Sequence, residues 1–83
     1  MIRTQEKISL ELSQDQKSLT VYYPQNTDRT IYDVCDLNGR ILKTGDICGN
    51  QATIDLSDLD SRIYIFLVLD GDTMKSRKFC LKA

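Results

Sequence analysis

Apolar and polar residues alternate along most of this chain with a period of two, and a helical period is almost absent. Ile8, Leu10 and Leu12 alternate with Lys7, Ser9 and Glu11, the pattern of a half-buried strand. The polar stretch Ser13–Lys17 predicts a turn. Leu19, Val21 and Tyr23 then alternate with Ser18, Thr20 and Tyr22, giving a second strand that stops at Pro24. Proline cannot donate to a ladder, so Pro24–Arg29 is expected to be a loop. A third strand runs from about Thr30 to Asp36. Asn38-Gly39 follows, the dipeptide of a two-residue type I′ hairpin in which both residues take positive φ. The expected return strand is Arg40–Thr44, and Gly45–Asn50 is expected to be a turn-rich link. A short strand, Gln51–Asp55, leads into Leu56-Ser57-Asp58-Leu59, where Ser57 or Asp58 is a candidate cap for a single helical turn. Arg62–Leu69 is the strongest strand pattern, Asp70-Gly71 predicts a second hairpin, and Thr73–Lys82 returns as the last strand.

About seven strands, several at intervals of roughly 8–12 residues, predict an all-β fold: an antiparallel β-sandwich of the immunoglobulin or fibronectin kind. With 83 residues there is room for one domain, residues 1–83, with the polar residues 1–7 as a flexible tail. That first segment has no apolar h-region, so the chain as given carries no secretory leader. Both a cytosolic protein and a mature exported fragment fit this. No apolar run reaches the ~18 residues of a membrane span.

Charge removes further classes. Eleven basic and twelve acidic residues leave a net charge of -1 with no basic stripe, which argues against a nucleic-acid footprint. The chain has no histidine, hence neither the usual general base nor the usual transition-metal ligand. No motif sets a Lys or carboxylate beside a Ser or Cys nucleophile, and there is no phosphate-binding glycine loop. Asp55, Asp58 and Asp60 offer oxygens that calcium accepts, but without EF-hand spacing; turn and cap chemistry accounts for them. The three cysteines, Cys35, Cys48 and Cys80, lack C-x-x-C spacing and read as reduced thiols in strands. A Cys35–Cys80 bridge requires their strands to be neighbours. The chain therefore reads as a non-enzyme without a cofactor, acting through a surface.

Two surfaces are candidates for a protein partner. In Arg62–Leu69 both faces are apolar: Ile63, Ile65, Leu67 and Leu69 on one, Tyr64, Phe66 and Val68 on the other. A sandwich core needs only one, so the second set is either covered within the domain or offered to a partner. The second candidate is the basic group Lys75, Arg77, Lys78 and Lys82, whose simplest reading is the solvated face of a last strand, lysine being a common guard of sheet edges. Tyr22 and Tyr32 are further candidates, with core packing favoured for Tyr32.

The order of these signals resembles the C-terminal sorting domain of proteins exported by the Bacteroidetes type IX secretion system. The matching pieces are Tyr23-Pro24, Asp36-Leu37-Asn38-Gly39-Arg40, Ile54-Asp55-Leu56-Ser57-Asp58-Leu59, Ile63-Tyr64 and Lys78-Phe79. They span about nine-tenths of the chain. Arg62 stands where the family usually has Gly, and Pro24-Gln25-Asn26 lacks a second proline. The chain is also similar to small secreted fibronectin-like domains of gut Bacteroides. The resemblance implies a sorting or recognition module, secreted or in the cell envelope, whose strand Lys75–Lys82 meets secretion machinery. The competing expectations are a module that docks a neighbouring domain or a second copy through the outer face of 62–69, and a cytosolic adaptor.

Overall fold

The computed structural model describes residues 8–24, 27 and 29–82. The expected tail 1–7 lies outside them, and the Pro24–Arg29 loop is described only at Pro24, Thr27 and Arg29. Seven strands form: β1 (Ser9–Leu12), β2 (Ser18–Tyr22), β3 (Thr30–Cys35), β4 (Ile41–Asp46), β5 (Gln51–Asp55), β6 (Ile63–Asp70) and β7 (Thr73–Cys80). All pairings are antiparallel, in one sheet of order β1-β2-β5 and another of order β4-β3-β6-β7. The described residues contain no helix. The expected all-β sandwich is the fold. Its fourth strand joins β3 rather than β5, unlike the seven-strand constant-type immunoglobulin order.

Alternation determines which side chains fill the space between the sheets. Leu19, Val21 and Tyr23 point inward from the first sheet, and Val34, Tyr64, Phe66 and Val68 from the second; Ile8, Ile47, Ile54, Leu56, Phe79 and Leu81 complete the core. Phe66 sits at the centre with Tyr32 stacked on it, ring centroids 5.8 Å apart. Tyr32 thus belongs to the inner face, as favoured. Tyr64 and Phe79 meet at 5.7 Å, and the Tyr64 hydroxyl donates to the Asp60 carbonyl at 2.7 Å. A tyrosine at the start of a strand bonding the backbone just upstream is the tyrosine corner of β-sandwiches.

Four local expectations are corrected. β4 continues through Gly45 to Asp46, where a turn-rich link was expected. Gly45 is there because the Tyr32 ring crosses it: a Cβ would sit 2.6 Å from Tyr32 Oη. The Asn38-Gly39 hairpin has a three-residue loop with only Gly39 at positive φ, 85°, not a type I′ pair. The Asp36 carboxylate is the reason: it accepts the N–H groups of Asn38 and Arg40, each at 2.9 Å, while the Gly39 N–H donates to the Asp36 carbonyl at 3.0 Å. The register shift opposite Val34 and Cys35 leaves Leu42 as the extra residue of a bulge. Leu56–Leu59 is a single turn, closed by the Leu59 N–H on the Leu56 carbonyl at 2.9 Å, and not a turn of helix. Its side-chain bond comes from Asp55, which accepts the Ser57 N–H at 3.0 Å, rather than from Ser57 or Asp58. Finally, β6 lies between β3 and β7, so Cys35 and Cys80 are two strands apart, about 10 Å at the usual spacing. A disulfide tolerates about 7 Å between Cα atoms, and all three thiols are free.

Candidate partner-binding surface

The two sandwich exteriors differ in chemistry. Outside the three-stranded sheet the register lines up Ser9, Tyr22 and Gln51, then Glu11, Thr20 and Thr53, then Ser18 and Asp55. Apart from the Tyr22 ring these side chains are polar throughout, and Tyr22 is 43% exposed with its hydroxyl 3.4 Å from Glu11 Oε1. Water suits this face. Outside the four-stranded sheet the rows are Ile63 with Cys80; Ile41, Cys35, Ile65 and Lys78; Thr44, Asp33, Leu67 and Ser76; and Asp46, Ile31, Leu69 and Met74.

That second exterior contains the odd-numbered set of β6, since Tyr64, Phe66 and Val68 take the inner face. Ile63 is exposed, and Ile65, Leu67 and Leu69 are half-buried by one another and by their cross-strand neighbours. Ile31 and Met74 are 41% and 63% exposed. Cys35 is buried beneath the patch; burial first, then the charges of Asp33 and Asp36, push its thiol pKa up, which keeps it unreactive.

The basic residues do not form one group. Period two on β7 sends Lys75 and Arg77 to the inner side and Lys78 to the apolar exterior, while Lys82 lies beyond the strand. Arg77 Nη1 donates to the Ile8 carbonyl at 2.7 Å, tying the last strand to the start of the first sheet. The Lys82 N–H donates to Gln16 Oε1 at 2.8 Å, in the β1–β2 turn. Parity along Thr73–Cys80 already carries this split, although clustering in sequence hides it.

Sequence reasoning missed one site altogether. Asp70, 2% exposed at the end of β6, accepts hydrogen bonds from the Tyr23 hydroxyl at 3.0 Å, the Thr27 N–H at 3.0 Å, the Thr27 hydroxyl at 2.7 Å and the Thr30 hydroxyl at 3.0 Å. It ties the β2–β3 loop to the far end of the other sheet. Asp-Gly looks like turn chemistry, and its donors lie 40 to 47 residues away, so only the fold reveals it.

Of the carboxylates considered as oxygen ligands, Asp55 closes a turn, whereas Asp58 and Asp60 pair with Lys43 and Arg62. Asp55 is held below the usual carboxylate range by the Ser57 N–H, and Asp58 by Lys43, whose Nζ is 2.8 Å away. Among the described residues no three His, Cys, Asp or Glu side chains converge as a metal site would require. Among them, too, no helix is long and apolar enough to cross a membrane.

The motif pieces now have physical roles. Asp36 and Gly39 shape the β3–β4 loop, Ile54 and Leu56 are core, Asp55 closes a turn, Tyr64 forms the corner and Phe79 packs on it. A comparison with curated proteins finds no match. The family described as the secretion system C-terminal sorting domain matches residues 4–82, nearly the whole chain. This is the non-catalytic signal family of type IX secretion, which marks secreted and cell-surface proteins and gives the cytosolic expectation no support. A match of that extent shows that the chain belongs to the secretion system C-terminal sorting domains.

Proposed function

We propose that residues 1–83 act as one non-catalytic recognition unit, read in folded form by the type IX export machinery along its last strand, and that no cofactor takes part. The observation that carries this reading is the family match over residues 4–82. The position of β7 supports it. This strand pairs only with β6, so its other edge bears backbone donors and acceptors without a strand partner among the described residues. An extended segment of the machinery adds to such an edge by main-chain hydrogen bonds. Exposed Lys78 and Lys82 discourage unspecific pairing there and favour an acidic partner.

The test places the whole chain behind a periplasmic reporter with its own leader, in a type IX-competent host and in the same host without the machinery. Surface display of the reporter only in the competent host is the expected result. A reporter that stays in the periplasm of both hosts overturns the sorting reading. Lys78→Glu with Lys82→Glu lowers display while leaving the urea midpoint of the purified chain unchanged; equal display sinks the role given to the basic strand end.

A further inference from the structure

The exterior of the four-stranded sheet carries aliphatic side chains in every row, set among Asp33, Asp46 and Lys78, whereas the other exterior has no aliphatic residue among its strand positions. Both sheets of a free sandwich are expected to present polar outer faces. This asymmetry identifies one face as a surface built to be covered.

Its size and charges indicate by what. Four strands at about 4.8 Å spacing, and the eight residues of β6 at about 3.4 Å each, give a face of roughly 19 by 27 Å. That projects to about 500 Å², and more as accessible surface, approaching the ~800 Å² per partner of a stable interface. A two-fold contact requires a surface complementary to itself. Here the two formal charges nearest the apolar centre have opposite sign and lie on opposite sides of β6. Asp33 is beside Leu67 on β3, and Lys78 is beside Ile65 on β7. Among the described residues neither has an ion-pair partner within the chain. We propose that two copies of this chain pack face to face through this sheet, with Leu67 central and Asp33 of each copy set against Lys78 of the other. Such stacked sheets lie about 10 Å apart, with their outer side chains interdigitated as in a sandwich core.

Sedimentation of the purified 83-residue chain over three decades of concentration tests this independently of export. The weight-average mass is expected to rise from 9.5 kDa toward twice that value. Leu67→Lys, which sets a charge in the centre, weakens association by at least about 30-fold. Lys78→Asp and Asp33→Lys, each at the surface, weaken it by about 10-fold, and the two together restore it to within about 3-fold. Urea midpoints of the two single reversals confirm that they fold. A strict monomer throughout the range overturns the proposal. So does a dimer indifferent to Leu67→Lys and to both reversals, as strand addition along β7 would give.

Discussion

Replacing Asp70 with Asn tests whether this buried carboxylate holds the β2–β3 loop to β6. The amide keeps the shape of the side chain but exchanges one acceptor oxygen for a donor. Oδ1 receives three described donors, from Thr27 N–H, Thr27 Oγ1 and Thr30 Oγ1, whereas Oδ2 receives the Tyr23 hydroxyl. The amide nitrogen is therefore least costly at the Oδ2 position, where it faces the buried Tyr23 hydroxyl. A hydrogen bond to a charged group contributes about 1.5–3 kcal/mol against about 0.5–1.5 kcal/mol for a neutral one, and the substitution weakens every bond that converges on this carboxylate. The expected loss for Asp70→Asn is thus about 2–4 kcal/mol. At about 0.05–0.15 kcal/mol per residue, 83 residues give a total stability of about 4–12 kcal/mol, so the loss is a large fraction. Tyr23→Phe removes the same bond from the other side and costs about 1–2 kcal/mol. In the double variant the hydroxyl facing the amide is gone, so the two losses do not add: the coupling reaches about 1 kcal/mol or more. Urea unfolding of the four proteins, followed by tyrosine fluorescence or circular dichroism, measures it. Asp70→Asn costing under about 0.5 kcal/mol, or the two changes adding to within that margin, refutes the clamp.

Three further outcomes follow from the packing and the charges. Gly45→Ala forces a methyl against the Tyr32 ring, which is itself stacked on Phe66, and costs about 1–3 kcal/mol; in a Tyr32→Ala background the same change costs far less, measured by urea midpoint. Tyr64→Ala costs about 3–5 kcal/mol and Tyr64→Phe about 1 kcal/mol for the lost corner bond, against under about 1 kcal/mol for Tyr22→Ala on the polar exterior. Asp36 is held below the usual carboxylate range by the Arg40 N–H, then by the Asn38 N–H and the charges of Arg40 and Arg62. A carboxyl depressed in the folded state stabilises it above the unfolded pKa of about 3.9, and this contribution is lost as pH falls through the folded value. The acid limb of a stability profile is therefore shallower in Asp36→Asn than in the parent chain, and identical limbs discount the turn.

Strand positions were legible because a sandwich strand has one wet and one dry side, so side-chain period and fold agree. β5 was read from Gln51 to Asp55, and β6 was displaced by only one residue. β6 also shows where the pattern becomes ambiguous. With both faces apolar, alternation identifies the two sets, and cross-sheet packing of Tyr64, Phe66 and Val68 determines which is inside. Gly45 read as a turn because a glycine needed for close approach and one needed for positive φ look alike in sequence; only the ring of Tyr32 distinguishes them. The long-range bonds were invisible for a simpler reason. Asp70 to Tyr23 and Arg77 to Ile8 connect residues 47 and 69 apart, and no local pattern encodes such distances.

The pieces that carry the family resemblance are mostly committed to the fold itself. The Asp36 carboxylate is occupied by two backbone N–H groups, the Tyr64 hydroxyl by a carbonyl, and Ile54, Leu56 and Phe79 are in the core. A partner approaching from solvent meets little of them. The signature therefore specifies a shape, and the recognition proposed above uses what that shape presents: the β7 edge, without a strand partner among the described residues, with Lys78 and Lys82 near its end, and the sheet exterior beside it. These two surfaces share β7, whose Lys78 belongs to both. A second copy covering the sheet exterior would bury Lys78 yet leave the β7 edge uncovered, because face packing and edge pairing use perpendicular directions of the same strand. Pairing with itself and presentation to an export machine are thus sterically compatible at the edge and compete only through Lys78.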